Sequence, residues 1–91
     1  MYGKSRRSHG VRFAVKPDGQ VAKVMLAGDF SGWRSLPMRK QRNGTFVRIV
    51  PGLRGTFEYK FLLDGRWVKD PDTSRWSRNA LGTFNSVGRI K

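Results

Sequence analysis

Three tryptophans are the side chains of this sequence best suited to hold a ligand: Trp33, Trp67 and Trp76, each in or beside a stretch rich in turn-forming residues. An aromatic face turned to solvent beside Lys and Asn serves two kinds of ligand. A sugar ring lays its apolar C–H face on the aromatic plane while polar neighbours bond its hydroxyls. A nucleic-acid base stacks on the same plane while Lys and Arg hold the phosphates. A Trp packed in a small β core does neither, and burial is the commoner fate of the residue. Trp33, in Phe30-Ser-Gly-Trp33, fits either role on local grounds, with Phe30 the better inward residue of the pair. Trp76, between Arg75 and Ser77-Arg78, reads as a loop anchor or an exposed flank.

Catalysis is poorly provided for. There is no Cys, so thiol nucleophiles, disulfides and Cys-ligated metals are excluded. The single His9 cannot build a multi-His metal site, and no acid stands near it to orient it as a base. Glycoside hydrolysis needs two carboxylates at a set separation. The candidates Asp64, Asp70 and Asp72 stand in turns, where Asp is common because it bonds its own backbone. No glycine-rich phosphate loop opens a helix. The expectation is a protein that is not an enzyme and takes no metal or cofactor.

The residues around Trp67 settle its orientation. Phe57-Glu-Tyr-Lys-Phe-Leu-Leu63 and Arg66-Trp67-Val68 flank Asp64-Gly65, a strong short-range hairpin signal. A two-residue loop pairs Leu63 with Arg66, Leu62 with Trp67, Phe61 with Val68 and Lys60 with Lys69. Paired residues share a face and successive residues alternate. Phe57, Tyr59, Phe61 and Val68 therefore form the core face, and Lys60, Leu62 and Trp67 project together from the other.

The rest of the chain supplies the elements that carry this hairpin. Met1–Gly10 is basic and aperiodic and is expected to be a flexible arm (residues 1–10) before a module over 11–91. Val11–Val15 alternates and ends at Lys16-Pro-Asp-Gly19. Val21–Ala27 reads as a buried strand bounded by Gly28-Asp29. Residues 28–44 are mostly loop, closed by Asn43-Gly44 as a type I′ turn into strand Thr45–Val50. A basic loop from Asp70 to Asn79 precedes a last strand, Phe84–Ile90. No segment carries a helical apolar stripe and no repeat of 20–50 residues is visible. Short strands at this spacing, with 37% hydrophobic residues, 12% aromatic and 11 Gly, predict an all-β sandwich.

Ninety-one residues allow one domain. Nineteen Lys and Arg against six Asp and Glu give a net charge of +13, which favours an anionic partner but says nothing of fold. There is no apolar run long enough for a membrane span and no signal-peptide core in the N-terminal residues, so a soluble cytoplasmic protein with no membrane role is expected.

In order along the chain stand Val24-Met-Leu-Ala-Gly-Asp-Phe-Ser-Gly-Trp33, Asn43-Gly-Thr-Phe46, Phe57-Glu-Tyr-Lys-Phe61, Asp64-Gly-Arg-Trp67, Asp70-Pro71 and Asn85-Ser-Val87. This order resembles carbohydrate-binding module family 48, which includes the glycogen-binding domain of the AMP-activated protein kinase β subunit and the N-terminal modules of branching and debranching enzymes. The resemblance spans roughly residues 11–90. It implies an immunoglobulin-like, early-set sandwich of about seven short antiparallel strands that binds α-1,4-linked glucan such as glycogen, amylose or a maltooligosaccharide. It further implies that Trp33 and Trp67 stack on sugar, Lys60 and Asn85 bond hydroxyls, and Leu81 pierces the coil of the glucan. Lys60 and Trp67 are also the two that strand alternation places together. In many members the module positions an enzyme, so an enzyme or kinase partner is a further implication.

A neutral glucan leaves +13 unexplained. The alternative is a basic interaction module on the same scaffold, holding a nucleic acid, a phosphorylated glucan or an acidic protein. Salt separates the two readings. Sugar stacking is nearly insensitive to it, whereas each neutralised phosphate adds about −0.7 to −0.9 to the log–log slope of affinity against salt.

Overall fold

The computed structural model describes residues 1–5 and 10–90. Among the described residues ten strands follow one another: β1 (Tyr2–Lys4), β2 (Gly10–Val15), β3 (Val24–Gly28), β4 (Leu36–Pro37), β5 (Arg39–Lys40), β6 (Phe46–Pro51), β7 (Gly55–Leu63), β8 (Arg66–Val68), β9 (Trp76–Arg78) and β10 (Phe84–Ile90). One 3-10 turn, Asp29–Ser31, interrupts them after β3. They form two antiparallel sheets, one in the order β1-β2-β6-β5 and one in the order β4-β3-β7-β10-β9, with β8 also pairing β7. This is the expected sandwich. No helix among the described residues is long and apolar enough to cross a membrane.

Strand alternation sets the core. Phe57, Tyr59, Phe61 and Leu63 of β7 face Val11, Phe13 and Val15 of β2 and Phe46 and Val50 of β6, with Val24 and Leu26 of β3 beside them. The rings of Phe13 and Tyr59 lie 5.1 Å apart at a steep angle, and Phe13 and Phe57 stand 5.7 Å apart. Such edge-to-face pairs add to simple area burial. The hairpin register is as expected for Phe61–Val68, Leu62–Trp67 and Leu63–Arg66. Asp64 (φ 47°) and Gly65 (φ 85°) both adopt the left-handed backbone that the tight turn demands. The ladder stops at Val68, so Lys60 and Lys69 do not join it.

Four expectations are corrected. The segment expected to be a flexible arm contributes an edge strand, with Tyr2–Lys4 pairing Phe13–Val11 of β2. The cause is Tyr2, whose ring packs 5.5 Å from Phe57 and 5.9 Å from Tyr59, while its hydroxyl accepts from Arg89 N at 3.1 Å. Arg6, Arg7, Ser8 and His9 of the expected arm lie outside the described residues. Strand β3 starts at Val24 instead of Val21, because the Asp64 carboxylate accepts from the backbone N–H of Ala22 and Lys23 (3.1 and 2.8 Å). Asn43-Gly44 is not a type I′ turn. Only Gly44 has positive φ, and the Asn43 side chain accepts from Thr45 N at 3.0 Å to close a longer loop. Finally, the basic loop after Asp70 contains β9, paired to β10. A three-residue edge strand leaves no readable alternation.

Asp70 is more than a turn residue. It is fully buried and accepts from the Tyr59 hydroxyl at 2.6 Å and from Asp72 N at 2.9 Å, and its own N–H donates to Ser86 Oγ at 2.7 Å. The Met1 ammonium also contacts it. This network ties β7, β10 and the segment after β8 into one body. Burial, and then the adjacent Asp70, push the Tyr59 hydroxyl pKa far above the ordinary tyrosine range.

Candidate functional site

The outer face of the six-stranded sheet carries the site. Glu58, Lys60 and Leu62 project outward from β7 between its core residues, and β8 adds Trp67 opposite Leu62. Trp67 is 50% exposed, as strand alternation requires of an outward residue.

Trp33 reaches the same face by a different route. After β3 the chain enters the 3-10 turn, and Asp29 accepts from Glu58 N at 2.9 Å, which clips the turn onto β7. Phe30 turns inward, 5.3 Å from Phe13. Gly28 must be glycine, because a Cβ there would stand 2.5 Å from the Phe30 ring and 2.6 Å from the Glu58 carbonyl. Gly32 (φ 61°) and Trp33 (φ 63°) then take consecutive left-handed conformations, and Trp33 N donates to Gly28 O at 2.9 Å. That backbone costs a bulky residue on the order of 1–3 kcal/mol, and the neighbouring bonds hold it in place. The ring ends 38% exposed.

The third side is the loop between β9 and β10. Asn79 organises it. Its Oδ1 accepts from Leu81 N (3.0 Å) and Thr83 N (3.1 Å), its Nδ2 donates to Thr83 Oγ1 (2.6 Å), and its N–H donates to Thr83 O (2.8 Å). Gly82 supplies the positive φ of 82° that the turn needs. Leu81 is thereby held 90% exposed, without a core to enter. Lys60 Nζ donates to Thr83 Oγ1 at 3.1 Å, so the loop also touches β7.

Asn85 differs from the other four sequence-selected residues in being 94% covered, with a relative exposure of 6%. Its Nδ2 donates to Glu58 Oε1 at 3.1 Å and its Oδ1 accepts from Asn79 Nδ2 at 3.3 Å. One N–H and one lone pair of its amide remain, so it retains half its capacity for a ligand.

Trp33, Lys60, Trp67, Leu81 and Asn85 all line one groove of about 620 Å³. Asp29, Glu58, Arg78, Asn79 and Thr83 line it as well and were missed in the sequence. Glu58 was legible, since it alternates in phase with Lys60. Asn79 was not, because its bonds depend on a loop whose shape local sequence does not give. Both carboxylates are engaged in holding the walls, Asp29 through Glu58 N and Glu58 through Asn85. No group of three or more metal-ligating side chains exists among the described residues. The groove therefore offers flat aromatic planes, an apolar tip and polar donors and acceptors, a set suited to binding. Trp76 stands apart from it, with Lys69 Nζ 3.6 Å above its ring and Phe84 at 6.2 Å.

Known proteins share this architecture and sequence. The family model described as the glycogen recognition site of AMP-activated protein kinase matches residues 11–91. The chain is similar to the 5'-AMP-activated protein kinase subunit beta-1 of Sus scrofa, at 38% identity over 73 residues, covering 80% of this chain and 58% of that one. The Homo sapiens beta-1 subunit is 36% identical over 73 residues, covering 80% and 26%. The chain thus spans less than two thirds of the length of these relatives. A crystal structure from Salmonella typhimurium, described as an alpha amylase, superposes with a TM-score of 0.70 at 29% identity, over 98% of this chain and 15% of that one. The matched unit is a recognition module, a binding and not a catalytic element. The chain belongs to the family of the glycogen recognition site of AMP-activated protein kinase.

Proposed function

We propose that the protein binds α-1,4-linked glucan of the glycogen or starch type in the groove on its six-stranded sheet. In this reading Trp33 and Trp67 stack on sugar rings, Lys60 and the free half of the Asn85 amide bond hydroxyls, and Leu81 enters the hollow of a curved chain. The binding module is residues 11–91, with β1 added as an edge strand. The observation that carries the reading is the convergence of five residues from five separate segments on one groove, with three large apolar side chains exposed in it. Exposed apolar surface concentrated in a concavity marks a ligand site more than scattered single residues do. An enzyme or kinase partner, which the module would bring to glucan, fits the relatives' description as kinase subunits.

The tip of the late loop provides the test. Leu81→Ala is expected to weaken binding of β-cyclodextrin, which offers a hole to fill, about 5- to 30-fold, the equivalent of roughly 1–2 kcal/mol of lost apolar burial. Binding of a short linear maltooligosaccharide should change little. Asn79→Ala keeps the Leu81 side chain but frees Leu81 N, Thr83 N and Asn85 Oδ1, so it is expected to weaken β-cyclodextrin binding as well. Calorimetric titration of both ligands reads the outcome. Equal losses for the two ligands, or none for either, would assign Leu81 to the scaffold.

A further inference from the structure

We propose that the outer face of the four-stranded sheet, opposite the sugar groove, binds the phosphate backbone of nucleic acid without reading its bases. A groove of about 750 Å³ lies there, walled by Arg12 of β2, Arg39 and Lys40 of β5, Arg42 and Arg48. Its floor is Val47 and Ile49 of β6. The ladder pairs Arg12 with Ile49 and Arg39 with Val47, so these four share the outer face. Lys40 pairs with Phe46 and Arg48 with Phe13, so these two cations line the groove from the other side of the pleat, with Arg48 Nη1 donating to Pro37 O at 3.1 Å. No Asp or Glu lines the groove. Among the described residues, the ion pairs run only from the Met1 amino group to Asp70 and Asp72, so none of these five cations is neutralised.

Arg12, Arg39, Lys40 and Arg48 stand on three neighbouring strands and Arg42 in the loop after β5, and these like charges repel one another. A ligand that relieves this must carry anions at similar density. Nucleic acid does, at one charge per about 1.7 Å of duplex axis, and each phosphate neutralised releases condensed counterions. Four of the five cations are Arg, whose planar fork matches two phosphate oxygens. The net charge of +13 adds a field of one sign that steers a polyanion from any approach, whereas an acidic patch on a folded protein needs only the local five. No aromatic residue lines the groove, so bases find nothing to stack on and contact is confined to the backbone. This inference does not depend on the glucan reading, whose residues stand on the other sheet.

The test uses anisotropy of a labelled DNA duplex of mixed sequence as salt is raised. Wild type is compared with the groove variant Arg12→Gln, Arg39→Gln, Arg42→Gln and with a control, Arg54→Gln, Arg75→Gln, Arg89→Gln. The control arginines are exposed and off the groove, and each variant removes three positive charges. The groove variant is expected to flatten the log–log slope by about 2–3, at about 0.9 per lost phosphate contact, and to lose roughly 100-fold in affinity at moderate salt. The control should flatten it by less than about 1. Both should keep wild-type melting temperatures and amylose retardation. Equal losses in the two variants would overturn the proposal in favour of diffuse charge. Displacement of the duplex by polyglutamate at equal charge concentration would overturn it in favour of an acidic protein. Absence of salt-dependent duplex binding by wild type would overturn it outright.

Discussion

Trp67→Ala is expected to abolish the retardation of the protein in amylose gels while leaving its melting temperature within a few degrees of wild type. Half of the Trp67 surface is already in solvent, and its partner across the hairpin, Leu62, is not a core residue. Truncation therefore opens no internal cavity. What it removes is one of two flat planes on the groove wall, and the figure for a base stacked on an aromatic side chain, about 1–3 kcal/mol, sets the scale. That corresponds to a loss of about 5- to 150-fold in affinity, enough to release a module held by few contacts. A variant that melts far lower yet still binds when folded would place Trp67 in the scaffold.

Tyr59→Ala is expected to do the reverse. Tyr59 is fully buried, packs on Phe13, Phe57 and Phe61, and donates to the buried Asp70. Deleting a large buried aromatic costs about 3–5 kcal/mol. The loss of a donor to a buried carboxylate adds about 1–3 kcal/mol. Small domains are stable by roughly 5–15 kcal/mol, so the variant should be largely unfolded on warming to growth temperature. Tyr59→Phe separates the two contributions, since it keeps the ring and removes only the hydroxyl bond. It also has a pH signature. The native Tyr59 hydroxyl holds its proton far above the usual range, while the unfolded chain releases it near pH 10. The unfolded state then binds fewer protons, so stability falls as pH rises above that value. Chemical denaturation as a function of pH should show that fall for wild type and less of it for Tyr59→Phe. A variant as stable as wild type, with the same alkaline slope, would mean that the Asp70 network does not hold the sandwich together.

The parts of the molecule legible in the sequence are those governed by strand alternation and a tight turn. Asp64-Gly65 fixes a register, the register fixes faces, and the faces give Tyr59 to the core and Lys60 and Trp67 to the outside. Trp33 was not decidable in this way. Its position follows from two consecutive left-handed residues and from Asp29 reaching β7, contacts between segments 29 residues apart. The resemblance to a family selected it where local pattern left it open. Asn43-Gly44 misled, because a Gly turn signal does not say whether the residue before it will share the positive φ. The short edges β1 and β9 were invisible for a related reason. Two or three residues carry no period, and Tyr2 is drawn into place by Phe57 and Tyr59, far along the chain. Asp70 looked like an ordinary turn carboxylate, since nothing local announces that a buried tyrosine hydroxyl will meet it.

In the proposed function the groove of Trp33, Trp67 and Leu81 holds neutral glucan by stacking and apolar contact, independently of the +13 charge. Affinity electrophoresis of the wild-type protein in gels containing amylose, run at low and at high salt, tests it most directly. Strong retardation relative to an amylose-free gel is expected, unchanged between the two salt concentrations and lost on addition of free β-cyclodextrin. Migration unaffected by amylose, or retardation that disappears at high salt, would contradict it.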